Sequence, residues 1–213
     1  MKIGVFDSGI GGKAIADELQ RLIEGAEVII VDDRAHVPYG GRSKDAIIQL
    51  TDTAIQPLLQ DSCDCIVIAC NTATTNAIVE LRARYPAQNF VGLEPMIKPA
   101  VELSRTKKFA VLATPSTLQS EQYAQLKSDW AKGCTILEPD CSTWASLIEH
   151  DKADQIPLQK TLAPLLTAGI DVIVLGCTHY HWIKPAIEAI VGDGVTVLEP
   201  SQAIKNRIVS ITA

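Results

Sequence analysis

Two cysteines stand out by their neighbours. Cys70 closes the apolar run CIVIAC and precedes Asn71 and Thr72; Cys177 closes IDVIVLGC and precedes Thr178 and His179. A thiol that only fills space needs no polar neighbours. A thiol at the carboxyl end of a parallel strand, with a helix opening behind it, sees backbone N–H groups and the positive end of a helix dipole, which favour thiolate. Such strand ends are where parallel α/β sheets gather ligands. Two thiols in like positions suit the inversion of a stereocentre. One thiolate removes a proton from one face of a carbon, and the other thiol returns a proton to the opposite face, so cysteine serves as base and acid. No organic cofactor is required, but the carbanion needs preorganised donors. The alternative for each thiol is plain packing, because free cysteine is among the most buried residue types. Cys63, Cys65, Cys134 and Cys141 lack ligand-like neighbourhoods and read as packing residues.

Other polar residues fall near strand ends. Asp7 and Ser8 open DSGIGG (7–12), a tight turn entering a helix, where a carboxylate can receive an ammonium and a hydroxyl can bind a carboxylate. The stretch is not G-x-G-x-x-G, which argues against a dinucleotide site. VPYGGRS (37–43) is a Pro/Gly turn or a loop with Tyr39 as a lid. Thr114 and Thr117 come after a strand, so they cap the next helix or bind a carboxylate. His179, two residues from Cys177, is placed to pass a proton to that thiol or orient it. His179 and His181 form H-x-H and share a face if the segment is extended. No third ligand is spaced to join them, and no metal is expected. Glu149, in a helix-like stretch, reads by default as a solvated surface charge.

Short apolar runs that read as strands are spaced by amphipathic stretches. Strands are expected at 2–6, 27–33, 65–70, 89–94, 108–114, 134–139, 171–177 and 195–200, and helices at 12–25, 44–60, 74–85, 117–129, 142–151, 156–169 and 183–192. Strands that are apolar on both faces and alternate with helices predict an α/β fold with mostly parallel sheets. KIGVFDSG resembles KFAVLATPS, and IVIACNTATT resembles VIVLGCTHYH, at nearly equal offsets. Two pseudo-symmetric α/β domains are therefore expected: 1–95 with a tail at about 200–213, and 96–199. The tail is expected to pack back as a helix on the first half.

The chain has 213 residues, 47% of them hydrophobic, enough for a substantial core. Its formal charge is −6, from 19 Lys+Arg against 25 Asp+Glu, and its densest basic block is RTKK at 105–108. Nucleic-acid and anionic-membrane partners are disfavoured. MKIGVFDSGIGG is unlike a signal peptide, and no run approaches the length of a membrane span. A cytoplasmic protein with reduced thiols is expected although its six cysteines are even in number.

VFDSGIGG, DDRAHVPYG, ACNTATT, EPMIKPA, ATPST and LGCTHY, in this order, closely resemble the glutamate racemases of the cofactor-independent aspartate/glutamate racemase superfamily. The resemblance runs from Ile3 to about Ser201. It implies interconversion of L- and D-glutamate without pyridoxal phosphate, supplying D-glutamate for peptidoglycan, on two α/β domains with the active site in the cleft between them. Carried over, Cys70 and Cys177 are the acid/base thiols, Asp7 assists Cys70, and His179 assists Cys177. Glu149, eight residues after Cys141 as in the family's C-x7-E pattern, is a further assisting carboxylate. Ser8, Tyr39, Gly40, Asn71, Thr72, Thr114, Thr117 and Thr178 hold the substrate, with Asp7 and His179, and Asp33 matches a family aspartate near the site. The expected partner is glutamate alone; family members are often dimers, which leaves a homodimer open. Histidine after the second Cys-Thr favours glutamate over aspartate. Lys13 and His181-Trp182 depart from the family pattern, and the chain is several tens of residues shorter than typical members. The alternatives are a racemase of another small acidic amino acid, or a binding or inhibitory relative without catalysis.

Overall fold

The structure, a computed structural model, describes residues 1–212. The chain forms two compact units: Met1–Glu94 together with the chain from Pro200 onward, and Pro95–Glu199. Among the described residues, no helix is long and apolar enough to cross a membrane.

The first unit runs β1 (Lys2–Asp7), α1 (Gly11–Leu22), β2 (Glu27–Asp32), α2 (Lys44–Ala54), α3 (Gln56–Gln60), β3 (Cys65–Ile68), α4 (Asn71–Arg84) and β4 (Phe90–Gly92). Its sheet has the order β2-β1-β3-β4, all parallel, with Phe6 level with both Val31 and Ile68. β1 and β3 are interior strands, apolar on both faces as parallel strands must be. Ile3 and Val5 of β1 and Val67 of β3 pack towards α1, while Phe6, Ile66 and Ile68 belong to the core that includes Ile47 of α2, Leu58 of α3 and Ala77 of α4.

The second unit contains α5 (Ile97–Leu103), β5 (Lys108–Ala113), α6 (Pro115–Leu118), α7 (Glu121–Trp130), β6 (Thr135–Leu137), α8 (Trp144–Glu149), α9 (Leu158–Thr167), β7 (Val172–Gly176), α10 (Lys184–Val191) and β8 (Thr196–Leu198). Its sheet, β6-β5-β7-β8, is again all parallel and repeats the strand order of the first. Phe109, Val111, Val172 and Val174 pack with Ile97 and Tyr123. The final helix, α11 (Ser201–Thr212), places Ile204 and Ile208 in the core with Ile3 and Leu19 of the first unit.

Several elements differ from expectation. The helix expected at 44–60 breaks at Ile55, because Pro57 enters the first turn of α3, where its missing N–H costs nothing. The helix expected at 117–129 is two pieces, since Ser120 caps a new start by accepting the Tyr123 N–H at 3.2 Å. The helix expected from 74 begins at Asn71, directly behind Cys70. Residues 178–183 form a 3₁₀ turn rather than an extended segment.

Candidate active site

Cys70 lies two residues beyond β3 and Cys177 one residue beyond β7, and these strands hold the same place in the two sheets. Both thiols are buried, at 6% and 7% exposure. Their surroundings differ in kind.

Cys70 is the N-cap of α4. Its backbone is extended, and its sulfur accepts the Ala73 N–H at 3.4 Å, where a serine or aspartate oxygen would ordinarily sit. The fourteen-residue helix behind it directs a positive dipole end at the sulfur, which favours thiolate. Ser8 Oγ lies 3.2 Å from the same sulfur, and either atom can donate. Ser8 is positioned by the turn after β1. There Asp7, fully buried, accepts the Gly9 N–H at 2.8 Å, and α1 starts on Gly11 and Gly12. Only glycine fits at position 12, since a Cβ there would stand 2.5 Å from Asp7 Cβ. Asn71 and Thr72 fill the first turn of α4 and are buried.

Tyr39 is not a lid. It is 2% exposed, packs in the core with Phe6 and Cys70, and donates its hydroxyl to Asp33 Oδ2 at 2.7 Å. Burial, and then the Asp33 carboxylate, push its phenol far above the ordinary range, so it stays a donor at any physiological pH. Gly40, half-buried, belongs to the turn closed by the Arg42 N–H on the Tyr39 carbonyl.

Cys177 has no helix to cap. The 3₁₀ turn Thr178–Ile183 comes directly after it, and its sulfur makes no cap bond, so the dipole expected at both thiols is present only at Cys70. An imidazole stands there instead. His179 Nδ1 is 3.8 Å from Cys177 Sγ, and His179 Nε2 is 2.7 Å from Glu149 Oε2. The carboxylate assigns the Nε2 position its proton, which leaves Nδ1 of the neutral ring as an acceptor facing the thiol. Such a chain can take the Cys177 proton onto histidine and leave a thiolate beside an imidazolium held by a carboxylate. Glu149 is therefore no surface charge: its side chain is 8% exposed and that of His179 is 6%.

His179 and His181 do not share a face, because two residues along a 3₁₀ turn are separated by about 240°. His181 is directed to Glu199, at 3.9 Å. Among the described residues, no group of three or more His, Cys, Asp and Glu side chains could hold a metal ion. Thr114, one residue beyond β5, stands at the N-cap position of α6 without a side-chain cap bond; its Oγ1 lies 3.1 Å from Thr117 Oγ1, and both residues are buried. Thr178 is 2% exposed.

Cys141, which reads as a packing residue in the sequence, together with Trp144 and Tyr180, supports the helix that carries Glu149. The Cys141 carbonyl accepts the Tyr180 hydroxyl at 3.0 Å, and the Tyr180 ring meets Trp144 edge-on at 5.5 Å. Tyr180 sits one residue from His179 and ends the LGCTHY motif, while nothing in the sequence points to its pairing with Trp144.

The Asp/Glu/Hydantoin racemase family model matches residues 11–207. The chain is 38% identical over 213 residues to the glutamate racemase of Roseiflexus sp. (strain RS-1), covering 98% of this chain and 78% of that one. The crystal structure of Escherichia coli glutamate racemase in complex with L-glutamate and the activator UDP-MurNAc-Ala matches with a TM-score of 0.88 at 28% identity, over 99% of this chain and 82% of that one. The glutamate racemase of Francisella tularensis subsp. tularensis SCHU S4, in complex with D-glutamate, matches with a TM-score of 0.81 at 28% identity, over 99% and 80%. A family model that spans most of the chain, together with relatives this similar over nearly its full length, places the chain in the Asp/Glu/Hydantoin racemase family.

Proposed function

We propose that this protein interconverts L- and D-glutamate in the cytoplasm without an organic cofactor, supplying D-glutamate for peptidoglycan. The observation that carries this reading is the like placement of Cys70 and Cys177 on two sheets of one strand order, each thiol with its own proton-handling neighbour. The substrates named for the relatives support glutamate. The two units, Met1–Glu94 with the chain from Pro200 onward and Pro95–Glu199, serve as the enzyme's two domains.

One thiolate removes the Cα proton and becomes a thiol. The electron pair left on Cα is delocalised into the adjacent carboxylate. The opposite thiol delivers its own proton to the other face and becomes a thiolate. The two cysteines thus exchange protonation states, no electrons are transferred, and the enzyme ends ready for the reverse reaction. Ser8, Tyr39, Gly40, Asn71, Thr72, Thr114, Thr117 and Thr178 hold the substrate, and all of them but Gly40 are buried. Asp7 assists Cys70 and receives the ammonium, while His179 and Glu149 assist Cys177.

Each thiol then has a role the other cannot fill. Cys70→Ser and Cys177→Ser should each abolish inversion in both directions, measured by polarimetry or a chiral assay. A single mutant with full two-way turnover would rule out the two-thiol mechanism.

A further inference from the structure

The carboxylate that orients His179 sits on a helix that cannot hold itself in place. α8 is six residues long, far below the length at which an isolated helix is stable in water. Its position depends on what clasps it. The 3₁₀ turn Thr178–Ile183 reaches both of its ends: His179 meets Glu149 at the last residue, and Tyr180 meets the first turn. The Tyr180 hydroxyl donates to the Cys141 carbonyl at 3.0 Å, the same oxygen that accepts the Trp144 N–H at 3.1 Å as the helix begins. The Tyr180 ring lies edge-on to Trp144 at 62°, a favoured aromatic geometry, and both residues are fully buried. Burial first, then the nearby Cys177 and Cys141 sulfurs, hold the Tyr180 phenol protonated, so the donor persists across the working pH range.

We propose that Tyr180 is a positioning residue for the proposed racemase reaction: by fastening the first turn of α8 through Cys141 and Trp144, it keeps Glu149 on His179 and so keeps His179 Nδ1 facing Cys177. This rests on the proposed function. Tyr180 is fully buried, and its effect passes through Glu149. Because the Cys141 carbonyl keeps its Trp144 partner, removing the Tyr180 hydroxyl leaves no buried carbonyl orphaned, and the fold tolerates the change.

Tyr180→Phe should lower kcat about tenfold, the scale of one lost hydrogen bond, with KM changed less than twofold. In a Glu149→Gln background the same substitution should have little further effect, because its route is already cut. Full additivity of the two, or wild-type kcat in Tyr180→Phe, would overturn the proposal. A second readout does not depend on turnover. The His179 Nε2 proton, hydrogen-bonded to Glu149, should give a downfield NMR resonance in the wild type that is lost or broadened in Tyr180→Phe. An unchanged resonance would contradict the proposal even if the wild type proved inactive on glutamate, an outcome that would overturn the proposed function separately.

Discussion

At the scale of single residues, the two thiols are equipped by different physics. Cys70 faces a helix N-terminus and a hydroxyl, Cys177 an imidazole backed by a carboxylate. A dipole end and one neutral hydrogen bond contribute modestly, whereas a positioned acid–base group contributes about 10²–10⁴-fold. Ser8→Ala should therefore lower kcat less than tenfold, while His179→Asn should lower it at least a hundredfold; steady-state kinetics in both directions would check the order. The reverse order would show that Cys177 does not depend on its histidine. The placement of the two thiols just beyond strand ends is legible, because each closes an apolar run with polar residues next in the chain. Glu149 was not, since a glutamate in a short amphipathic stretch looks like any surface charge. Only the spacing from Cys141 in the family pattern pointed to it, and only the fold shows it buried against His179.

At the scale of elements, what matters is how each strand is held at the end opposite its thiol. Asp171 precedes β7, the strand that carries Cys177. It accepts hydrogen bonds from Ser104 Oγ at 2.6 Å and from the Arg105 and Thr106 N–H groups at 2.7 and 2.9 Å, tying β7 to the turn after α5. Burial alone would raise this carboxyl, but the donors from Ser104, Thr106 and Arg105 outweigh it and hold the group below its ordinary value. A carboxyl depressed in the folded state stabilises the fold above its unfolded value and ceases to do so as pH falls through the folded one. The difference in melting temperature between wild type and Asp171→Asn should hold at neutral pH and close below about pH 4. A difference constant down to pH 2 would contradict the clasp. Strands were read more easily than helix ends, because an apolar run of parallel-sheet type has few alternatives. The breaks before Pro57 and at Ser120 were missed because hydrophobic period continues across them, while backbone donors and caps decide where a helix stops.

At the scale of the whole molecule, one plan occurs twice. The repeat of KIGVFDSG in KFAVLATPS foretold two like sheets, and both have the strand order in which the thiol-bearing strand is interior. The return of the chain from Pro200 into the first unit is explained by the apolar spacing of α11, whose Ile204 and Ile208 are buried there. The turn around Tyr180 and Trp144 could not be read in advance, since it joins residues 36 apart in the sequence with no shared motif. The most direct test of the central claim is incubation with L-glutamate in D₂O without added cofactor, tracking the Cα–H signal by proton NMR and the product by chiral assay. Loss of that signal together with D-glutamate carrying deuterium at Cα is the predicted result. A fully retained signal would contradict the claim, and the same experiment with L-aspartate would then separate a racemase of another acid from a binding protein.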